Sequence, residues 1–248
     1  MKRICFVGNS HVGALKKALA SYDDIGAGKA ADITIFGSHR DSIRTARVRN
    51  GIISSSNSSV QESFRWTSGG ATEIVISEFD EIVFILGNSM LSARPFIAGD
   101  DIPALSQRVM DEIWKAIEKS WFMRLVKETA EANSNTLVSH IGVPFISCEA
   151  PDAKTILQKI SAPQSRTRHH AERIQAFLEE KVRASSTDNF RIMGPPESTL
   201  EQHGLFTHHT YCKGSVRLSE NMNKLHPDTD FRHMNAAYGR LVLEEVLR

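Results

Sequence analysis

The run Glu81-Ile82-Val83-Phe84-Ile85-Leu86 constrains the fold more than any other segment. Every position after its first residue is apolar. A half-buried strand alternates apolar and polar side chains, whereas a strand covered on both faces reads as a continuous apolar run. The segment therefore predicts a central strand with helices packed on both of its faces.

The rest of the chain supplies partners for that strand. Arg3–Val7 reads as a strand stopped by Gly8-Asn9-Ser10, and a helical pattern follows from Val12 to about Tyr22. Asp32–Phe36 reads as a second strand, stopped by Gly37-Ser38. Asn50-Gly51 is a hairpin signal, and the polar tract Ser54–Ser59 reads as a loop. One long helix is expected from Ala104 to about Ala132, its Trp114, Ile117, Trp121 and Leu125 recurring at core-facing spacing. Thr136–Ile141 and Phe190–Met193 read as strands. A loop carrying Pro144 and Pro151 follows the first of them, and helices are expected over His169–Ala184 and Asn235–Leu247. Strands alternating with helices imply an α/β fold, here a flavodoxin-like, doubly wound parallel sheet of about five strands with helices on both faces. A single domain over residues 1–248 is expected, with an irregular insertion at about 40–75.

Composition narrows the function classes. The formal net charge is +1, which gives no electrostatic case for nucleic acid or a membrane surface as partner. No apolar run reaches membrane-span length, and the residues before Gly8 are too few for a secretory core. The three cysteines, Cys5, Cys148 and Cys212, are far apart and do not form a disulfide pattern. A reduced, cytoplasmic setting is the default expectation. No dinucleotide or nucleoside-triphosphate glycine motif follows the first strand.

In open α/β sheets, sites form at the carboxyl ends of the strands. Three predicted strands end there in glycine and a small polar residue: Gly8-Asn9-Ser10, Gly37-Ser38 and Gly87-Asn88. Ser10 fits two roles, a helix N-cap or a nucleophile. Asp230-Phe231-Arg232-His233 precedes the last helix. An aspartate there caps that helix or holds His233 in the tautomer a general base needs. His11 fits the first helical residue or a substrate contact.

Taken in order, these blocks resemble those of SGNH (GDSL-like) hydrolases, which carry Gly-Asp-Ser after the first strand, Gly-x-Asn after a central strand and Asp-x-x-His before the last helix. The corresponding residues are Gly8-Asn9-Ser10, Gly87-Asn88 and Asp230–His233, and the resemblance spans nearly the whole chain. Asn9 stands where the family has Asp, and Asn88 follows its glycine one place early. The resemblance implies Ser10 as nucleophile, His233 as acid–base and Asp230 as its orienting partner. It implies an oxyanion hole from the Ser10 N–H, a glycine N–H (Gly37, with Gly69 and Gly70 as rivals) and the Asn88 amide. No metal or organic cofactor is needed for that chemistry. The expected activity is removal of acyl groups, acetyl foremost, from a carbohydrate or small ester. Acyl transfer by the same triad, or a catalytically silent glycan- or protein-binding domain, are the alternatives. His203, His208, His209 and Cys212 lie close together without a strong zinc template, so a loop at the site mouth is expected there rather than a metal centre. Sequence leaves the oligomeric state open.

Overall fold

The computed structural model describes the chain apart from residues 21–30, 40–41, 88–105, 160–163, 186–187, 202 and 221. The main sheet is built from β1 (Lys2–Gly8), β2 (Ala31–Gly37), β6 (Glu81–Ile85), β7 (Leu137–Ile141) and β8 (Phe190–Met193). All pairings are parallel, in the order β2-β1-β6-β7-β8. This is the doubly wound sheet expected. The chain moves outward from β1 to β2, then returns past β1 to β6 and onward. The reversal places a crevice at the carboxyl ends of β1 and its neighbours.

Strand alternation divides the core into two halves. Cys5, Val7, Ile82 and Phe84 face one side. There they join buried residues of α2 (Ser58–Ser68), α3 (Gln107–Glu118), α4 (Trp121–Ala132) and α6 (Gln164–Ser185). Ile4, Phe6, Val83 and Ile85 face the other, against α1 (Val12–Leu19) and α7 (Ala236–Leu247). Covering both faces is what the unbroken apolar run of β6 requires.

The carboxylate of Glu81 is fully buried at the amino end of β6. It accepts hydrogen bonds from Lys2 Nζ (2.7 Å), Ser139 Oγ (2.5 Å) and Arg191 Nη2 (2.7 Å). Four strands are tied together at the end opposite the crevice. Burial pushes this carboxyl up, but the three donors outweigh it and leave it below the ordinary range.

The structure corrects several local expectations. The described residues of the region at about 40–75 are regular: β3 (Ala46–Arg49), β4 (Ile52–Ser55) and β5 (Ile74–Val75) form an antiparallel sheet, with α2 between β4 and β5, and residues 40–41 lie outside the described ones. Asn50 and Gly51 do make the hairpin turn, both with positive φ (50° and 76°). The Ser54–Ser59 tract is not a loop throughout. It ends β4 and, through Asn57 Oδ1 accepting from the Ser59 N–H, caps α2. The helix expected up to Ala132 is two helices, α3 and α4. Ser120 breaks it in an extended conformation (ψ 148°) and caps α4, its side chain accepting from the Met123 N–H. Its first residues, 104–105, lie outside the described ones. The loop at Pro151 is the start of α5 (Pro151–Lys159), since proline suits a first helical turn. Among the described residues, no helix is long and apolar enough to cross a membrane.

Candidate active site

Two chain segments far apart in sequence meet at the carboxyl end of β1. The first is the Gly8-Asn9-Ser10-His11 turn. A Cβ on Gly8 would lie 2.4 Å from Val12 Cγ1 and 2.9 Å from the Ile85 carbonyl oxygen, so only glycine lets the turn fold down against β6. Asn9 Oδ1 accepts the His11 N–H (3.2 Å), and the N-cap position of α1 falls on His11, without a side-chain cap. Ser10 Oγ is therefore not used for capping. It lies 2.9 Å from His233 Nε2.

The second segment is the turn before α7. Asp230 Oδ1 accepts the backbone N–H groups of Arg232 (2.9 Å) and His233 (3.0 Å). Asp230 Oδ2 lies 2.9 Å from His233 Nδ1. Asp230 does not cap α7; Asn235 does, accepting from the Ala237 and Tyr238 N–H groups. Burial raises the Asp230 carboxyl, but the two backbone donors and then the His233 ring outweigh it and bring it to about 2. An ionised carboxylate only accepts, so His233 Nδ1 carries the proton and Nε2 offers its lone pair to the Ser10 hydroxyl.

What holds the two segments together is the packing of α1 on α7. A Cβ on Gly239 would lie 2.3 Å from the Ala14 carbonyl oxygen. The helices thus approach backbone to backbone, and the turns at their amino ends are brought into register.

Two further imidazoles enclose His233. His226 stacks on one face (centroids 4.0 Å apart, planes 9° apart), and its Nδ1 is also 2.9 Å from Asp230 Oδ2. His11 stacks on the other face at 5.0 Å and 22°. Burial first, and then the neighbouring His233, lower both rings, His11 to about 3. Both are neutral at neutral pH, and His226 Nδ1 lies at the same carboxylate oxygen that His233 Nδ1 meets. The His233 side chain keeps 22% of its exposure. Sequence did not bring His226 to this site, and His11 was expected as the first helical residue or a substrate contact. A proline-turn, His226-Pro227, shortly before the Asp-x-x-His block was the one available signal.

The oxyanion donors come out differently from expectation. The Gly37 N–H is donated to Thr67 Oγ1 of α2 (2.9 Å), so it is not free for an oxyanion. Gly69 and Gly70 both give their N–H groups to the Arg65 carbonyl at the end of α2. Helix α2 was not foreseen, and it accounts for all three. The Ser10 N–H has no acceptor among the described residues. Asn88 lies outside the described residues.

The His203/His208/His209/Cys212 cluster does not assemble. Cys212 is buried, its Sγ against Met234 Sδ (3.5 Å) and the Phe231 carbonyl (3.9 Å), and burial pushes its thiol up to about 11. His203 is buried too.

No protein-family model matches the chain, and no curated protein matches it. Among solved structures it is similar to the lipase Lip_vut3 from a goat rumen metagenome, at 9% identity and TM-score 0.42 over 99% of this chain and 96% of that one. It is similar to a family two carbohydrate esterase from Clostridium thermocellum, in complex with cellohexaose, at 11% identity and TM-score 0.42 over 99% and 62%. It is also similar to the periplasmic domain of a lipopolysaccharide acetyltransferase from Salmonella ser. Paratyphi A, at 11% identity and TM-score 0.44 over 99% and 82%.

Proposed function

We propose that the chain is a serine hydrolase that removes acyl groups from a carbohydrate or small ester, with Ser10, His233 and Asp230 as its triad. One observation carries the reading: the unbroken path from Ser10 Oγ to His233 Nε2 and from His233 Nδ1 to Asp230 Oδ2, each step 2.9 Å. A serine hydroxyl is a weak nucleophile at neutral pH and needs a base in that position. Ser10 attacks the ester carbonyl, and His233 takes the hydroxyl proton and returns it to the leaving alcohol. Water then enters by the same route and releases the acid from the acyl-enzyme. Asp230 stays ionised throughout and supports the imidazolium that forms between. The Ser10 N–H is the first oxyanion donor in this reading, such donors contributing about 3–4 kcal/mol each. Acyl esters, acetyl foremost, are the substrate class that the resemblance to SGNH hydrolases implies.

The test is hydrolysis of p-nitrophenyl acetate together with labelling by a fluorophosphonate probe. Ser10→Ala and His233→Ala should each lower turnover by on the order of 10⁴-fold or more while circular dichroism is unchanged. Labelling should be lost with Ser10. A native protein that neither turns over the ester nor takes the probe would overturn the assignment.

A further inference from the structure

Among the described residues outside the triad, one group of side chains brings together donor types that a metal ion takes up. Cys148 and Glu149, on the loop after β7, face His209 on the short helical turn His209–Tyr211. One ligand atom from each, the thiol sulfur, a carboxylate oxygen and a ring nitrogen, lie within 4.8 Å of one another. We propose that these three residues bind a borderline divalent transition metal ion of the Zn²⁺ class.

The backbone fixes the donors in advance. Cys148 N–H donates to the Thr207 carbonyl (2.9 Å), and Thr207 N–H donates to the Ile146 carbonyl (3.0 Å). The two loops are thereby laid side by side, with His209 two residues beyond Thr207. Glu149 N–H is held by Ser147 Oγ (3.2 Å). Cys148 is also the right thiol for the role. Cys5 and Cys212 are buried, and burial raises both, whereas Cys148 is only partly buried. Glu149 Oε2 is paired with Lys154 Nζ (2.5 Å). One thiolate, one carboxylate and one neutral imidazole balance a dication. Three protein ligands leave a fourth tetrahedral position for water. Binding expels the Cys148 thiol proton to solvent.

The site adjoins the catalytic loop without sharing a residue with it. Glu149 and His209 line a cavity of about 440 Å³ whose wall includes Asp230 and Phe231. Ser147 N–H donates to the Phe231 carbonyl (2.8 Å), so an ion here clamps the support on which Asp230 rests.

Co²⁺ titration of the metal-free full chain under reducing conditions tests the site, because thiolate ligation produces a near-ultraviolet charge-transfer band. One equivalent of Co²⁺ should produce the band and Zn²⁺ should displace it. Cys148→Ser should remove the band, Cys212→Ser should keep it, and His209→Ala should weaken binding by more than about tenfold. Absence of the band, its loss with Cys212 rather than Cys148, or binding unaffected by His209→Ala would each overturn the proposal. So would Co²⁺ binding without sulfur character that abolishes ester turnover, which would place the ion on His226, Asp230 and His233 instead.

Discussion

At the scale of single residues, the central fact is that one carboxylate oxygen serves two imidazoles. Asp230 Oδ2 receives Nδ1 of both His233 and His226, and the two rings are stacked. A proton arriving on His233 is therefore stabilised by a carboxylate whose charge is already shared. His226→Phe keeps the stacked face but removes the second ring nitrogen from beside the carboxylate. Asp230 then acts on His233 alone, which favours the imidazolium. The acid limb of the kcat/KM profile should move to higher pH, a readout that a purely structural role would not shift. An unchanged profile in a folded variant would deny His226 any part in setting the base. Ser10, Asp230 and His233 were legible in the sequence because each sits beside a glycine turn or a helix start, features with local signatures. The His226 and His11 stacks were not, because they depend on how two separate turns approach each other in space.

At the scale of elements, the Ser10–His233 distance is set by how closely α1 and α7 pack. Gly239→Ala places a methyl against the Ala14 carbonyl and must spread the helices. A loss of about 1–3 kcal/mol in chemical denaturation is expected, together with a fall in kcat larger than any change in KM. Stability loss with full kcat would mean that the turns hold the pair without help from the helices. Helix α2 shows where reading by element ran out. Asn57 and the serines around it look like a loop, yet Val60, Phe64 and Thr67 are buried at helical spacing just beyond. Thr67 then takes the N–H of Gly37. A strand-end glycine marks a place where a ligand fits; it does not reveal whether another part of the chain has already occupied the donor.

At the scale of the whole molecule, the buried histidines make stability sensitive to acid. His140 is fully buried in β7, donates from Nε2 to the Leu86 carbonyl (2.6 Å) and stacks on Phe122. Burial lowers it to about 4, and His11 is lowered to about 3. Between the ordinary histidine pKa of about 6.5 and these values, the unfolded chain binds protons that the folded chain refuses. Unfolding free energy should thus fall with decreasing pH across that window, by about 1.4 kcal/mol per pH unit for each group. The lowered carboxyls of Glu81 and Asp230 act in the same direction at lower pH, their contribution being lost as they protonate. His140→Gln should flatten the slope by one histidine's share in urea titrations at several pH values. The same slope in that variant would mean that His140 titrates alike in both states. The sheet was legible at this scale because continuous apolar strands admit few arrangements. Of the small antiparallel sheet only the hairpin turn at Asn50-Gly51 was legible, since strands of two to four residues leave little periodicity.

Ser10 and His233 are separated by 223 positions along the chain. At a synthesis rate of about 5–20 residues per second, Ser10 leaves the ribosome roughly 10–45 s before His233. For that interval Ser10 is an ordinary alcohol on an unfinished polypeptide, inert toward any ester it meets. In the proposed hydrolase, ester turnover then reports that a contact between the two ends of the chain has closed, which makes the activity a clock for that late joining.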